Sequence, residues 1–114
     1  MIKMYDIPNY IDFNDYQDIA TTTAIYPEQF KITYPLLGLI GEVGEFANKY
    51  KKVIRDGKVF SKEDMVSELG DILWYLSAIA TDANLNLSAI AYMNIDKLRD
   101  RQQRNVLGGS GDNR

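Results

Sequence analysis

Four carboxylates stand out because so little other charge surrounds them. Between Ile32 and Asn48 the only charged residues are Glu42 and Glu45, and between Met65 and Thr81 the only ones are Glu68 and Asp71. Each pair is spaced i, i+3, so its two side chains share one face of a helix. Acids in such apolar stretches lose hydration and, brought near one another, repel. Either some stay protonated or a cation neutralises them. An all-oxygen donor set selects a hard cation, which makes Mg²⁺ the natural occupant and Mn²⁺ a substitute. A single Glu-x-x-Glu pair reads most simply as ordinary helix surface. Two pairs, each alone in an apolar segment, favour a site. A carboxylate di-iron bundle would add Glu-x-x-His motifs, and the chain has no histidine.

Cationic and aromatic residues on the same or neighbouring helix faces are the next candidates. Glu45, Lys49 and Lys52 lie at i, i+4 and i+7, roughly one stripe of a helix, and Asn94, Lys97 and Arg101 form another at i, i+3 and i+7. Lys49 fits an i, i+4 pair with Glu45 as well as it fits a phosphate contact. Lys51, Lys52 and Arg55 also suit a solvated helix end whose dipole they complement. Tyr75 stands one turn beyond Asp71 on the same face, where its ring could stack on a bound ligand. Trp74 belongs to an uncharged outer stripe with Ser67, Gly70, Ser77 and Thr81. That stripe suggests a subunit interface first and a base pocket second. Gln17 and Tyr16 are weaker substrate-contact candidates.

Four helices must position these groups. The first is expected from about Phe13 to Thr23, followed by a loop holding Tyr26, Pro27 and Glu28. The second runs from Thr33–Pro35 to Arg55–Gly57, with proline in its first turn and Gly57 as a left-handed cap. The third starts at Ser61, a capping hydroxyl with Asp64 three residues on. Its apolar stripe of Met65, Leu69, Ile72, Leu73, Leu76 and Ala80 is expected to form the core, ending near Ala83–Asn84. The fourth runs from about Asn86 to Arg104. Strand signals are weak, so the fold class is all-α, a four-helix bundle whose central antiparallel pair, helices two and three, carries the carboxylates. Gly38, Gly41, Gly44 and Gly70 lie inside those two helices, where each costs roughly 1 kcal/mol against alanine. Close approach of another helix or of a ligand would offset that.

The bulk properties are consistent with this. A chain of 114 residues makes one domain, and 46% hydrophobic with 25% charged residues is an ordinary globular balance. The net charge of −3 argues against a nucleic acid polymer as partner. Without cysteine or histidine, acid–base chemistry rests on carboxylates, Lys, Tyr or metal-bound water. No apolar run is of membrane-spanning length and no signal-peptide layout is present, so no membrane association and a cytoplasmic location are expected. Residues 1–12 read as an N-terminal extension and 105–114 as a disordered, glycine-rich tail.

The longer wording around the acids resembles a family. Leu39-Ile40-Gly41-Glu42-Val43-Gly44-Glu45, a spacer of 22 residues, Glu68-Leu69-Gly70-Asp71-Ile72-Leu73-Trp74-Tyr75-Leu76, and Asn94-Ile95-Asp96-Lys97-Leu98-x-x-Arg101 resemble the MazG-like nucleotide pyrophosphohydrolases over about residues 13–104. The compact form looks most like phage or small bacterial members. One departure is Gly41, where many members double the acid as Glu-Glu-x-x-Glu. The resemblance implies Mg²⁺-dependent hydrolysis of a nucleoside triphosphate to the monophosphate and pyrophosphate. It also implies a homodimer or homotetramer whose sites are lined partly by a neighbouring subunit. Glu42, Glu45, Glu68 and Asp71 would be the metal ligands, with Glu42 or Glu45 activating water. It favours Lys97 and Arg101 as phosphate contacts, which spacing alone leaves even. Alternatives are a non-catalytic metal- or nucleotide-binding helical module, or the same fold acting on dUTP or an alarmone.

Overall fold

The computed structural model describes residues 2–3, 6–7 and 10–113, and among these it is helical with no strand. The order is α1 (Phe13–Thr21), a single 3-10 turn (Glu28–Phe30), α2 (Thr33–Asp56), α3 (Lys62–Asp82) and α4 (Leu87–Gln103). The all-α expectation therefore stands. Helix α1 ends two residues earlier than expected, and the loop at Glu28 closes into a 3-10 turn. The N-terminal extension lies partly outside the described residues.

Local chemistry sets the boundaries. Asp12, Ser61 and Asn86 each accept a hydrogen bond from the backbone N–H three residues on, capping α1, α3 and α4; caps of this kind are worth about 1 kcal/mol each. Gly57, at φ 68°, closes α2 by donating its N–H to the Val53 carbonyl. The start of α2 is different and was not foreseen. Ile32 sits at φ 65° and ψ −53°, and the Thr33 N–H donates to the Lys31 carbonyl across it at 2.7 Å. This is a γ-turn of the strained hand, on a β-branched residue. Asp82 holds it from the far end of α3, accepting from the Ile32 N–H at 2.9 Å and the Tyr26 hydroxyl at 2.7 Å. Burial and this bond to Asp82 push the Tyr26 phenol well above its ordinary range.

Helices α2 and α3 form the main pair. Going forward along α2, Gly38, Glu42 and Lys49 meet Tyr75, Asp71 and Glu68, which run backward along α3. The pair is thus antiparallel. At its hairpin end the Phe46 and Phe60 rings stack at 5.5 Å. Helix α1 lies on another face of α3, and α4 packs chiefly on α1 and α3.

The buried face of α3 corrects the expected one. Leu69 and Leu76 are exposed, at 51% and 45%, while Ser77, Ala78 and Ala80 are buried. Of the supposed outer stripe, Ser77 is buried and Thr81 bonds to Gln17 of α1, while Ser67 and Gly70 are exposed; Ala80 is buried as expected. Helices approach closely over small side chains, and the large aliphatic residues are left beside the crossing. Helix α2 is likewise more open than its composition suggests, with only Pro35 fully enclosed.

Candidate functional site

The facing surfaces of α2 and α3 bring three of the four acids together. Glu42, Glu68 and Asp71 each offer a carboxylate oxygen, and these oxygens lie within 4.8 Å of one another. Glu68 is 5% exposed, Glu42 is half-buried and Asp71 is open to solvent. Glu45 is not part of this triad. It lies a turn further along α2, half-exposed, with the Lys49 ammonium 3.5 Å from its carboxylate. The expectation that all four acids are buried therefore holds only for Glu68, with Glu42 partly covered. The reason is that α3 is the helix that packs extensively on α2, and it covers one side of it.

The electrostatics follow from this placement. Burial raises the Glu42 carboxyl above its ordinary range, and Asp71, Glu45 and Glu68 raise it further, while Lys49 lowers it. Glu42 Oε2 and Glu68 Oε2 are buried without a hydrogen-bond partner. Buried polar atoms are normally paired, so two orphaned acceptors side by side need a third party. An all-oxygen set fits a hard divalent cation. Two cation–oxygen bonds of about 2.1 Å span most of the 4.8 Å between the donors. The residues present thus fit Mg²⁺ or Mn²⁺.

Lys49 reaches across from α2 and donates to Glu68 Oε1. Both readings of this side chain were open in the sequence; the structure adds a partner on the other helix, 19 residues away. That bond to Glu68 is the chief reason the Lys49 ammonium is held above its ordinary range.

Aromatic groups border the acids. The Tyr75 ring lies against Gly38, so close that a Cβ there would come within 2.1 Å of it. Gly38 is thus needed for Tyr75 to reach the α2–α3 groove. Gly41, Gly44 and Gly70 face open space instead. Burial raises the Tyr75 hydroxyl, with contributions from Tyr34, Glu42 and Asp71, and burial with Asp71 raises that of Tyr16. Tyr34, stacked on Tyr26 at 4.7 Å, was not singled out from the sequence. Its neighbourhood depends on the γ-turn at Ile32, which leaves no local pattern.

The remaining candidates lie elsewhere. Trp74 does not stand on an outward face. Its indole N–H donates to Thr23 Oγ1 at 2.8 Å, its ring meets Tyr75 edge-on at 5.1 Å, and it lines a cavity of about 30 Å³ with Ala20, Tyr26 and Ser77. The end of α1 and the residues after it cover the Trp74, Ser77 and Thr81 part of the outer stripe, while Ser67 and Gly70 stay exposed. Gln17 is buried. Its amide donates to Thr81 Oγ1 and the Leu85 carbonyl and accepts from the Leu87 N–H, tying α1 to α3 and α4. Lys52 is exposed near Asp56. Asn94 is exposed on α4. Lys97 and the buried Arg101 hold the tail: both donate to the Asp112 carboxylate, at 3.3 and 3.2 Å, and Arg101 also donates to the Asp112 carbonyl at 3.0 Å. Among the described residues no helix is long and apolar enough to cross a membrane.

Comparison with known proteins agrees with the resemblance in the motifs. Residues 31–106 match the MazG nucleotide pyrophosphohydrolase domain. The "Gene 37 protein" of Mycobacterium phage L5 is 41% identical over 109 residues, spanning 87% of this chain and 96% of that protein. No solved structure matches.

Proposed function

We propose that this chain, which belongs to the MazG nucleotide pyrophosphohydrolase family, hydrolyses a nucleoside or deoxynucleoside triphosphate to the monophosphate and pyrophosphate with the help of Mg²⁺. The observation that carries this reading is the pair of orphaned carboxylate oxygens on Glu42 and Glu68 beside Asp71. Glu42, Glu68 and Asp71 would hold the cation. When bound, it supplies charge neutralisation at the phosphates and a water more acidic than bulk water. Glu45, outside the triad at the rim, is suited to orient that water. Tyr75, at the groove, offers a face for the base or sugar. Lys97 and Arg101 already hold an anionic group, the Asp112 carboxylate, and a phosphate has the same chemistry with more acceptors.

The acting species is proposed to be a homo-oligomer. Leu36, Ile40, Val43, Tyr50 and Ile54 of α2 are exposed, and with Ala47 they step by four and three residues along one stripe. That is the repeat of a helix–helix seam, and it lies away from the face that meets α3. The outer stripe of α3 that holds Trp74 no longer supports this expectation, but the α2 seam does. Ile40→Glu should dissociate the assembly to a 13.0 kDa species in sedimentation; a wild type already monomeric at micromolar concentration would overturn it.

A panel of ribo- and deoxyribonucleoside triphosphates, dUTP included, tests the activity by pyrophosphate release. Release with Mg²⁺ that stops on adding EDTA is the expected result. Binding of Mn²⁺ without turnover of any triphosphate would overturn it in favour of a non-catalytic metal-binding module.

A further inference from the structure

We infer that Lys49 occupies the place of a second metal ion, so that each chain binds one divalent cation and not two. This rests on the metal-binding reading above. A two-ion site needs a carboxylate shared between the ions and a further acid on the far side of the second one. The sharing acid here is Glu68. Its two oxygens face different surroundings: Oε2 is buried without a partner, whereas Oε1 accepts from the Lys49 ammonium, and one oxygen of this carboxylate lies within 4.8 Å of oxygens of Glu42 and Asp71. The far acid is Glu45, whose carboxylate is 3.5 Å from the same ammonium. Lys49 therefore bridges the two carboxylates between which a second ion would sit, and it does so as a side chain of the same helix as Glu45. Glu68 is 5% exposed, so the carboxylate end of this pair is enclosed, while the Lys49 side chain is 44% exposed.

The four acids carry four negative charges, and Lys49 supplies one positive charge without leaving the chain. A second divalent ion would have to displace that ammonium from a nearly buried carboxylate and leave two like-charged cations side by side. The geometry makes Lys49 a positioning residue: it holds one oxygen of Glu68 and leaves the other without a partner. It also sets the cation count before any substrate arrives.

The test is equilibrium titration with Mn²⁺ alone, read by calorimetry and by the electron paramagnetic resonance of bound manganese. One ion per chain is expected for the wild type, with the spectrum of an isolated centre. Lys49→Gln should take up a second ion and give a spin-coupled pair, whereas Lys49→Arg should stay at one. Two ions in the wild type, or a single ion in a folded Lys49→Gln, would overturn the inference. If Lys49→Gln fails to fold by circular dichroism, the wild-type count decides between one ion and two. No binding at all would instead overturn the metal reading itself, a result distinct from a count of two.

Discussion

Two polar clusters are built on α3, and they differ in one respect. Toward its C-terminal end, Gln17 of α1 is enclosed at 9% exposure, and both ends of its amide are satisfied by Thr81, Leu85 and Leu87. Midway along, Glu68 is enclosed further, at 5%, yet one of its oxygens has no partner, nor does one on Glu42 opposite. A neutral amide with every bond made adds rigidity and specifies how three helices meet. Like-charged carboxylates with orphaned acceptors destabilise the chain that carries them. The first pattern is that of a scaffold, and the second is the pattern that the proposed metal site calls for.

The sharpest way to break this contrast is to remove charge from the site while keeping its shape. Glu42→Gln and Asp71→Asn should each lower kcat at saturating Mg²⁺ by more than 100-fold, about 2.7 kcal/mol or more, with an unchanged helical spectrum. In EDTA the variants should be at least as stable as the wild type, because repulsion is relieved. Mg²⁺ or Mn²⁺ should raise the wild-type melting midpoint by mass action and leave those of the variants nearly unmoved. A variant retaining more than about a tenth of kcat, a loss under roughly 1.4 kcal/mol, does not carry a metal ligand at that position. A wild-type midpoint indifferent to metal would mean the acids are not clustered in solution.

How much of this could be read in advance depends on the range of the interaction. The caps at Ser61 and Gly57 and the lengths of α2 and α3 are decided by residues within one turn, and they were legible. So were the acids, because the fifteen uncharged residues around each pair, from Ile32 to Asn48 and from Met65 to Thr81, are themselves a local signal. What was not legible is which face of α3 each neighbour takes. Ranking by side-chain size selected Leu69 and Leu76, which are exposed, whereas Ser77 and Ala78 are buried beside the expected Ala80. Nor was it legible that the Trp74 indole N–H is bound to Thr23, 51 residues away. Gln17 has partners 64 to 70 residues away, and no spacing rule reaches that far. For Lys49 the local pair with Glu45 was visible, while the stronger bond to Glu68 required the two helices to be set side by side.

The scaffold cluster gives the complementary experiment. Gln17→Ala would leave the Leu87 N–H and the Leu85 carbonyl without their side-chain partners and open space between three helices. Orphaned buried groups cost roughly 1–3 kcal/mol each, so a total near 3 kcal/mol is expected, lowering the midpoint by about 10 °C in a chain of this size. Mn²⁺ binding per folded chain should be unaffected. Gln17→Glu keeps an acceptor for the Leu87 N–H but loses both donated bonds, and should also destabilise. A stable Gln17→Ala with reduced turnover would reverse the assignment and return Gln17 to the substrate.

The smallest effect is expected at the tail, where charge pairing is neither enclosed like Glu68 nor satisfied like Gln17. Arg101, followed by Lys97, holds the Asp112 carboxyl below its ordinary range, and the Asp112 side chain is 83% exposed. A carboxyl lowered on folding favours the ordered form above its unfolded pKa, and that contribution disappears as the pH falls through the lowered value. Amide chemical shifts of Gly111 and Asp112 should therefore hold steady around neutrality. They should move toward those of free peptide only in acid below the usual carboxylate range, and Asp112→Asn should show the released pattern already at neutral pH. Because solvent screens so exposed a pair, the melting midpoints of wild type and Asp112→Asn should coincide within error, and salt should release the tail without melting the helices. A clear drop in midpoint for Asp112→Asn would show that Arg101 needs this partner for burial, making the tail part of the scaffold.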